Sequence, residues 1–342
     1  MKLVQTGTAV PHISPKQIKS FEFKRPPAKD RILIGQMMNS LDSKIHLNQQ
    51  TNQTLEQMAQ ALFKSWFVDF DPVIDNALAA GITLPAGLQH RVTVRKKAHA
   101  LQQNTPKLSP LPKSTQALFP NEFEHCGDPT LGIHGWIPKG WRASNLSNVA
   151  EAISGYAFKS KDFSEQGIKV VKIKNIKSDK TIDLVDVQKV PTAITQNLSK
   201  DLLKDGHILM AMTGATVGKI GVVVNHESEM LMLNQRVCRL VPKINDCQSF
   251  IFSVLNRTFV EDFIQNSAQG SAQPNISAKE ILSIPVIVPE KDLIQKFEEL
   301  TLGTYKKRIE LLKQSSILSK IRDSLLPKLI SGQITLSGSP PN

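Results

Sequence analysis

The chain has 342 residues, 42 Lys and Arg against 30 Asp and Glu, a net charge of +12, and 40% hydrophobic residues. This length fits two or three domains at ~100–200 residues each, and the composition excludes a disordered or collagen-like chain. No window approaches the ~18 apolar residues of a membrane span. The first residues lack the apolar stretch and small-residue cleavage site of a secretory signal. Cys126, Cys238 and Cys247 form no CxxC pair, which argues for free thiols in a reducing cytoplasm and against a disulfide framework or zinc site. The positive charge points to an acidic polyelectrolyte partner such as nucleic acid.

An internal repeat organises the chain. Residues 7–20 recur at 270–283 without a gap, with identities at Gly7/Gly270, Ala9/Ala272, Pro11/Pro274, Ile13/Ile276, Ser14/Ser277, Lys16/Lys279, Ile18/Ile281 and Ser20/Ser283. An offset of 263 residues is far too long for a solenoid. It reads as a duplicated large unit whose first copy is cut short at Met1. Both copies run into a helical pattern. Ile34, Leu41, Asn48, Leu55 and Leu62 alternate with Met38, Ile45, Asn52, Ala59 and Trp66, an a/d seam with two polar layers at Asn48 and Asn52. At the same offset stand Phe297, Thr304, Leu311, Leu318 and Leu325. Each helix is expected to be about 40 residues, ~60 Å long, and the two are expected to pair antiparallel. Pro327 is expected to end or kink the second.

Residues 72–130 read as a Pro-rich connector with little core, containing a short helix over 88–103. Its run Arg95, Lys96, Lys97 is a solvated face or a phosphate contact. Residues 131–290 read as a complete α+β domain with a curved, mostly antiparallel sheet. Strands are predicted over 169–176, 182–190, 205–213, 218–225, 236–242 and 284–288, with one helix over 249–265.

The chain offers no catalytic centre. Gly214 to Lys219 falls one residue short of a P-loop, and Ile220 stands where Ser or Thr would hold magnesium. A tight loop between strands fits better. The histidines show no HxxxH or HExxH spacing, so no metal site is expected. What remains is polar and basic loops. Between 155 and 180 lie seven Lys against three acids, whereas 131–290 as a whole has 18 basic and 15 acidic residues. Such local concentration suits phosphate contacts. The candidate DNA-contacting residues are Lys159, Lys161, Lys172, Lys174, Asn175, Lys177, Thr213, Thr216, Lys219, Gln235, Arg236, Gln273 and Asn275. Amide and guanidinium groups at Gln235, Arg236, Gln273 and Asn275 suit base edges in the major groove. Taken singly, each is equally a solvated loop side chain. Only two Tyr and three Trp argue against single-strand binding by stacking.

The chain resembles the specificity subunit of type I restriction–modification systems. Four segments carry the resemblance: 52–72, a helix ending in Trp66, Phe67, Val68, Asp69, Phe70; 118–123 with Ile137-Pro-Lys-Gly-Trp141; the loops 214–221 and 270–277; and 322–332, ending in Gly332. The resemblance implies a non-catalytic DNA-recognition subunit. Residues 1–27 would be the remnant of a first target recognition domain, 28–71 the central spacer helix, 72–130 a connector, 131–290 a target recognition domain, 291–331 the C-terminal spacer helix and 332–342 a tail. It implies double-stranded DNA and methyltransferase subunits as partners, with a restriction subunit as a further one. S-adenosylmethionine, ATP and Mg²⁺ belong to those partners, and this chain needs no cofactor. Two other readings stay open: assembly with a second copy or a complementing specificity fragment, and an interaction module that binds methyltransferase without specific DNA binding.

Overall fold

The computed structural model describes residues 14–20, 25–103, 111–196, 198–225, 227, 229–244, 246–268 and 274–336. Its helices are α1 (Pro15–Lys19), α2 (Ala28–Phe67), α3 (Asp71–Ala79), α4 (Gln89–Gln103), α5 (Lys113–Gln116), α6 (Thr192–Thr195), α7 (Gln248–Leu255), α8 (Thr258–Ser267), α9 (Ala278–Leu282) and α10 (Lys291–Ser331). Its strands are β1 (Phe123–His125), β2 (Trp136–Pro138), β3 (Arg142–Asn145), β4 (Ala150–Ser154), β5 (Ile168–Val171), β6 (Lys189–Val190), β7 (Ile208–Ala211), β8 (Ile220–Val222), β9 (Leu231–Leu233), β10 (Val237–Pro242) and β11 (Pro285–Val288). The chain divides into two compact units, 1–48 with 314–342, and 49–313.

In the first unit the start of α2 pairs with the end of α10. Ile34 and Met38 share a buried cluster with Leu329, and Arg322 lies 2.8 Å from Asp42. Rising numbers on one helix meet falling numbers on the other, so the pair is antiparallel. Helix α10 continues through Pro327 and ends four residues later at Ser331, so the proline does not itself end the helix. A proline there removes the hydrogen bond that residue 327 would donate to the carbonyl of residue 323. The repeat is visible in structure. Ser14 caps α1 in a capping box with Gln17, and Ser277 caps α9 in one with Glu280. Their burial differs: Ile281 is fully buried, whereas Ile18 is 51% exposed.

The second unit holds the other halves of both helices and the sheets. Here too they run antiparallel, with Glu56 against Arg308 and Phe63 against Phe297. The seam positions Leu55, Ala59, Leu62 and Trp66 are all buried or half-buried, and Gln53, Thr54, Gln57 and Met58 face out. Asn48 and Asn52, one in each unit, are buried on the α2 seam. Strands β4, β10, β7 and β8 form an antiparallel sheet in that order. Strands β7 and β8 read as unbroken apolar runs because both of their faces are covered. Ile208, Met210, Ile220, Cys238 and Leu240 enter one core with the helices, and the alternate residues Leu209, Ala211 and Val237 enter another with Val171, Ile176 and Leu231. A second sheet, β6-β5-β9, contains the parallel pair β5 and β9.

Several local expectations are corrected. The connector is not coreless: α3, α4 and the segment between them pack Ile74, Ala77, Leu84, Leu88 and Val92 into a cluster of their own. Arg95 in its basic run is taken by Asp75, with Nε 2.8 Å from Oδ1, while Lys96 and Lys97 are exposed. The helix over 249–265 is two, α7 and α8, because Arg257 between them is extended. Gln60 of α2 donates to the carbonyls of Ser253 and Asn256 at 3.2 and 3.4 Å, satisfying carbonyls that α7 leaves free. Most of 182–190 is not strand; only Lys189–Val190 pairs in a ladder, and Ile182 makes a single bridge to Ile176.

Candidate nucleic-acid interface

The two sheets end together, and the polar loops gather where they end. Strands β4, β5, β7 and β9 finish, and β10 begins, at Ser154, Val171, Ala211, Leu233 and Val237. Backbone bonds lace the loops beyond. Gln235 N donates to Tyr156 O at 3.0 Å, and Tyr156 N to Leu233 O at 3.0 Å. Met212 N donates to Arg236 O at 3.0 Å, Ile276 N to Met212 O at 2.9 Å, and Gly214 N to Pro274 O at 2.8 Å. Thr213 bridges Asn275, and Tyr156 bridges Asn234. Gly155 permits this approach, since a Cβ there would lie 2.1 Å from the Leu233 carbonyl oxygen. Thr213, Gln235, Arg236 and Asn275, distant in sequence, are thus brought together, with Thr216 on the same loop as Thr213. Gln273 lies outside the described residues.

The surface combines exposed and buried polar groups. Arg236 and Asn275 are exposed. Thr213 Oγ1, Thr216 Oγ1 and Gln235 Oε1 are buried and have no hydrogen-bond partner among the described residues. Unsatisfied buried acceptors and donors cost about 1–3 kcal/mol each, so these three groups are available to a ligand or to water. Tyr156 is 42% exposed and packs edge-on against Phe158, with centroids 4.9 Å apart. Sequence reasoning did not single it out; its signal was a tyrosine directly after Gly155.

The lysines divide into groups. Lys159 and Lys161, in the loop after Tyr156, are exposed and form no ion pair among the described residues. Lys172 directly follows β5, its Nζ 3.6 Å from the centre of the Phe163 ring and bonded to Gln188. Burial, then the charge of Lys174, holds its pKa below the usual lysine value. Lys174 and Lys177 pair with Asp186 and Asp183 at 3.0 and 2.9 Å. Both pairs are solvent-exposed, so their carboxylates compete only weakly for the two ammonium groups. Asn175 is a correction. It is 3% exposed, its Oδ1 accepts from Lys172 N at 2.9 Å and its Nδ2 donates to Asp186 O at 3.3 Å. Its amide oxygen and nitrogen are both engaged within the turn it caps.

The segment 214–219 is the β7–β8 loop, with positive φ at Gly214 and Gly218. A Cβ on Gly218 would lie 2.9 Å from Ile264 Cγ2, so glycine is required there by packing as well as by backbone angle. No group of acidic, His or Cys residues suited to a metal is found among the described residues, and no helix among them is long and apolar enough to cross a membrane.

The family described as the type I restriction modification DNA specificity domain matches residues 138–318. The specificity subunit of the type I restriction enzyme HindI of Haemophilus influenzae is 30% identical, over 96% of this chain and 72% of that protein. The MjaIX specificity subunit of Methanocaldococcus jannaschii is 22% identical, over 98% of this chain and 65% of that protein. Among solved structures, the type I S subunit from M. genitalium aligns with 96% of this chain and 68% of that one, at 16% identity and a TM-score of 0.46. The chain belongs to the family of type I restriction–modification DNA specificity subunits.

Proposed function

We propose that this protein is the non-catalytic sequence reader of a type I restriction–modification complex. The loops at the sheet ends enter the major groove of one half of a bipartite site. Arg236, Gln235 and Asn275 contact base edges, and Lys159, Lys161 and Lys172 contact phosphates. Methyltransferase subunits dock on α2 and α10 and supply S-adenosylmethionine chemistry; a restriction subunit joins with ATP and Mg²⁺. The observation that carries this reading is the convergence of Tyr156, Thr213, Gln235, Arg236 and Asn275 on one surface. The test is co-expression with the cognate methyltransferase subunit in a naive host and mapping of methylated bases. A reproducible motif is expected, and one that changes with Arg236→Ala. A stable complex that methylates nothing would count against it and favour an interaction module without specific DNA binding.

A second reading concerns assembly. Ile18 repeats the buried Ile281 yet is 51% exposed. It supports a second recognition domain, from another copy or a complementing fragment, packing against α1. Sedimentation of a strict monomer, with and without methyltransferase, argues against it.

A further inference from the structure

Arg257 is absent from the interface just described, yet its environment calls for an anion. Residues from 177–180, 218–220 and 255–261 enclose an open cleft of about 400 Å³. Its lining carries four cations, Lys177, Lys180, Lys219 and Arg257, against one carboxylate, Glu261. Lys177 and Lys180 are held by Asp183 and Glu56. Lys219 and Arg257 have no ion-pair partner among the described residues. The Lys219 side chain is exposed at the tip of the β7–β8 loop.

Arg257 is the unusual group. It lines both this cleft and a smaller cavity whose lining includes Phe63, Phe67, Phe250 and Phe259. Its guanidinium carbon lies 5.6 Å from the centre of the Phe259 ring, a contact that takes charge without using an N–H. Burial alone acts on its pKa, holding it below the usual arginine value. A desolvated cation without a counter-charge is costly, and a bound anion offsets that cost. Arg257 also stands at the N-cap of α8, where its side chain supplies no oxygen to cap the helix. The residues that favour a helix start are Ser, Thr, Asp and Asn, and a cation there faces the positive end of the helix dipole.

We propose that the cleft is a phosphate site, in which Arg257 and Lys219 grip the backbone of the same DNA duplex whose bases the sheet-end loops read, with Glu261 opposing and so limiting affinity. The inference rests on the DNA-recognition reading. Lys219 supplies the link, because it lies on the same hairpin loop as Thr213 and Thr216. A planar guanidinium fork beside a lysine suits a phosphate, the first bidentately and the second as a point charge.

The test uses the full chain co-purified with its methyltransferase subunits, and duplexes carrying the methylated motif, titrated by fluorescence anisotropy across salt. Arg257→Gln and Lys219→Gln are each expected to weaken binding ~10-fold on all sequences alike and to lower the salt slope by ~1. Glu261→Gln is expected to tighten it. A scan with neutral methylphosphonate linkages then locates the contact: one or two positions that weaken the wild type leave Arg257→Gln unaffected. A folded Arg257→Gln variant with wild-type affinity and salt slope overturns the proposal while leaving the DNA-reading function intact. Loss of inorganic phosphate binding with full DNA affinity retained assigns the cleft to a free anion and overturns it equally. Wild-type protein that binds no duplex at all fails both readings together.

Discussion

Arg308 Nη2 of α10 lies 2.5 Å from Glu56 Oε2 of α2, and the other oxygen of that carboxylate accepts from Lys180 Nζ and Asn256 Nδ2. One side chain therefore ties both long helices to the turn at 177–181 and to the end of α7. Burial alone would raise the Glu56 pKa, but the attraction of Arg308 and the bonds from Lys180 and Asn256 outweigh it and hold it below its ordinary value of 4.5. A depressed carboxylate contributes stability above its unfolded pKa, and that contribution is lost as pH falls through the folded value. Stability should fall below about pH 4.5, and Glu56→Gln should flatten the fall. Glu56→Ala should cost about 3–5 kcal/mol at neutral pH, because it strands the buried Arg308. Urea denaturation at pH 7 and pH 4 measures both. A Glu56→Gln curve parallel to wild type across that window would contradict the assignment.

Glu298 should show the opposite sign. It is 5% exposed on α10 and caps α7: its oxygens accept from Ser249 N at 3.1 Å, Phe250 N at 3.0 Å and Ser249 Oγ at 3.0 Å. Burial raises its pKa, and these bonds lower it by less, so the net shift is upward. A raised carboxylate favours the fold below its unfolded pKa and loses that contribution as pH rises through the folded value. Glu298→Gln, which keeps an acceptor, should therefore remove a decline in stability on raising the pH above 4.5. Glu298→Ala should cost more, about 1–3 kcal/mol for each N–H left unpaired. Equal losses for the two variants at pH 7 would contradict a capping role.

Both networks lie where sequence reading was weakest. The seams of α2 and α10 were legible because heptad spacing is a local pattern, and α10 begins where the 263-residue offset places it. The break at Asn256 was not, since it depends on Gln60 and Glu56 arriving from a helix some 200 residues earlier. The connector misled through its prolines: its apolar residues at 74, 77, 84, 88 and 92 pack around turns rather than along one long helix. The candidate surface could be listed from sequence only as residue types; its place depends on loops that the two sheets bring together. Asn175 looked like Asn275 in sequence; its burial and its bonds to Lys172 N and Asp186 O set it apart from the exposed Asn275.

Asn48 and Asn52 set up a stability prediction. Both are buried on the α2 seam, and Asn48 Nδ2 and both amide atoms of Asn52 have no partner among the described residues. Polar residues at such positions weaken a helix pair while restricting its register. Asn52→Leu should raise stability by about 1–3 kcal/mol, the cost of the unsatisfied amide, and loosen register. The melting temperature should rise, and disulfide trapping between paired Cys substitutions on the two helices should then capture more than one alignment. A lower melting temperature would mean that the amide is satisfied in solution.

The reading surface yields the sharpest contrast. Arg236 is exposed and its backbone is held by Met212 at 3.0 Å, so its side chain is presented from a fixed loop. A base contact by such a group discriminates by about 1–3 kcal/mol. Arg236→Ala should relax the methylated motif at one position and leave the salt dependence nearly unchanged. Gln235→Ala should act at a neighbouring position. Lys161→Ala touches only phosphate in this reading, so it should weaken every sequence alike and lower the salt slope by about 1. Substitution of Lys172 or Lys174 should follow Lys161, with Lys172 showing the larger effect because Lys174 already carries an aspartate partner. Mapping methylated motifs and measuring salt-dependent binding for the same set of variants separates the two classes. A changed motif with Lys161→Ala, or a uniform loss with Arg236→Ala, would exchange their roles.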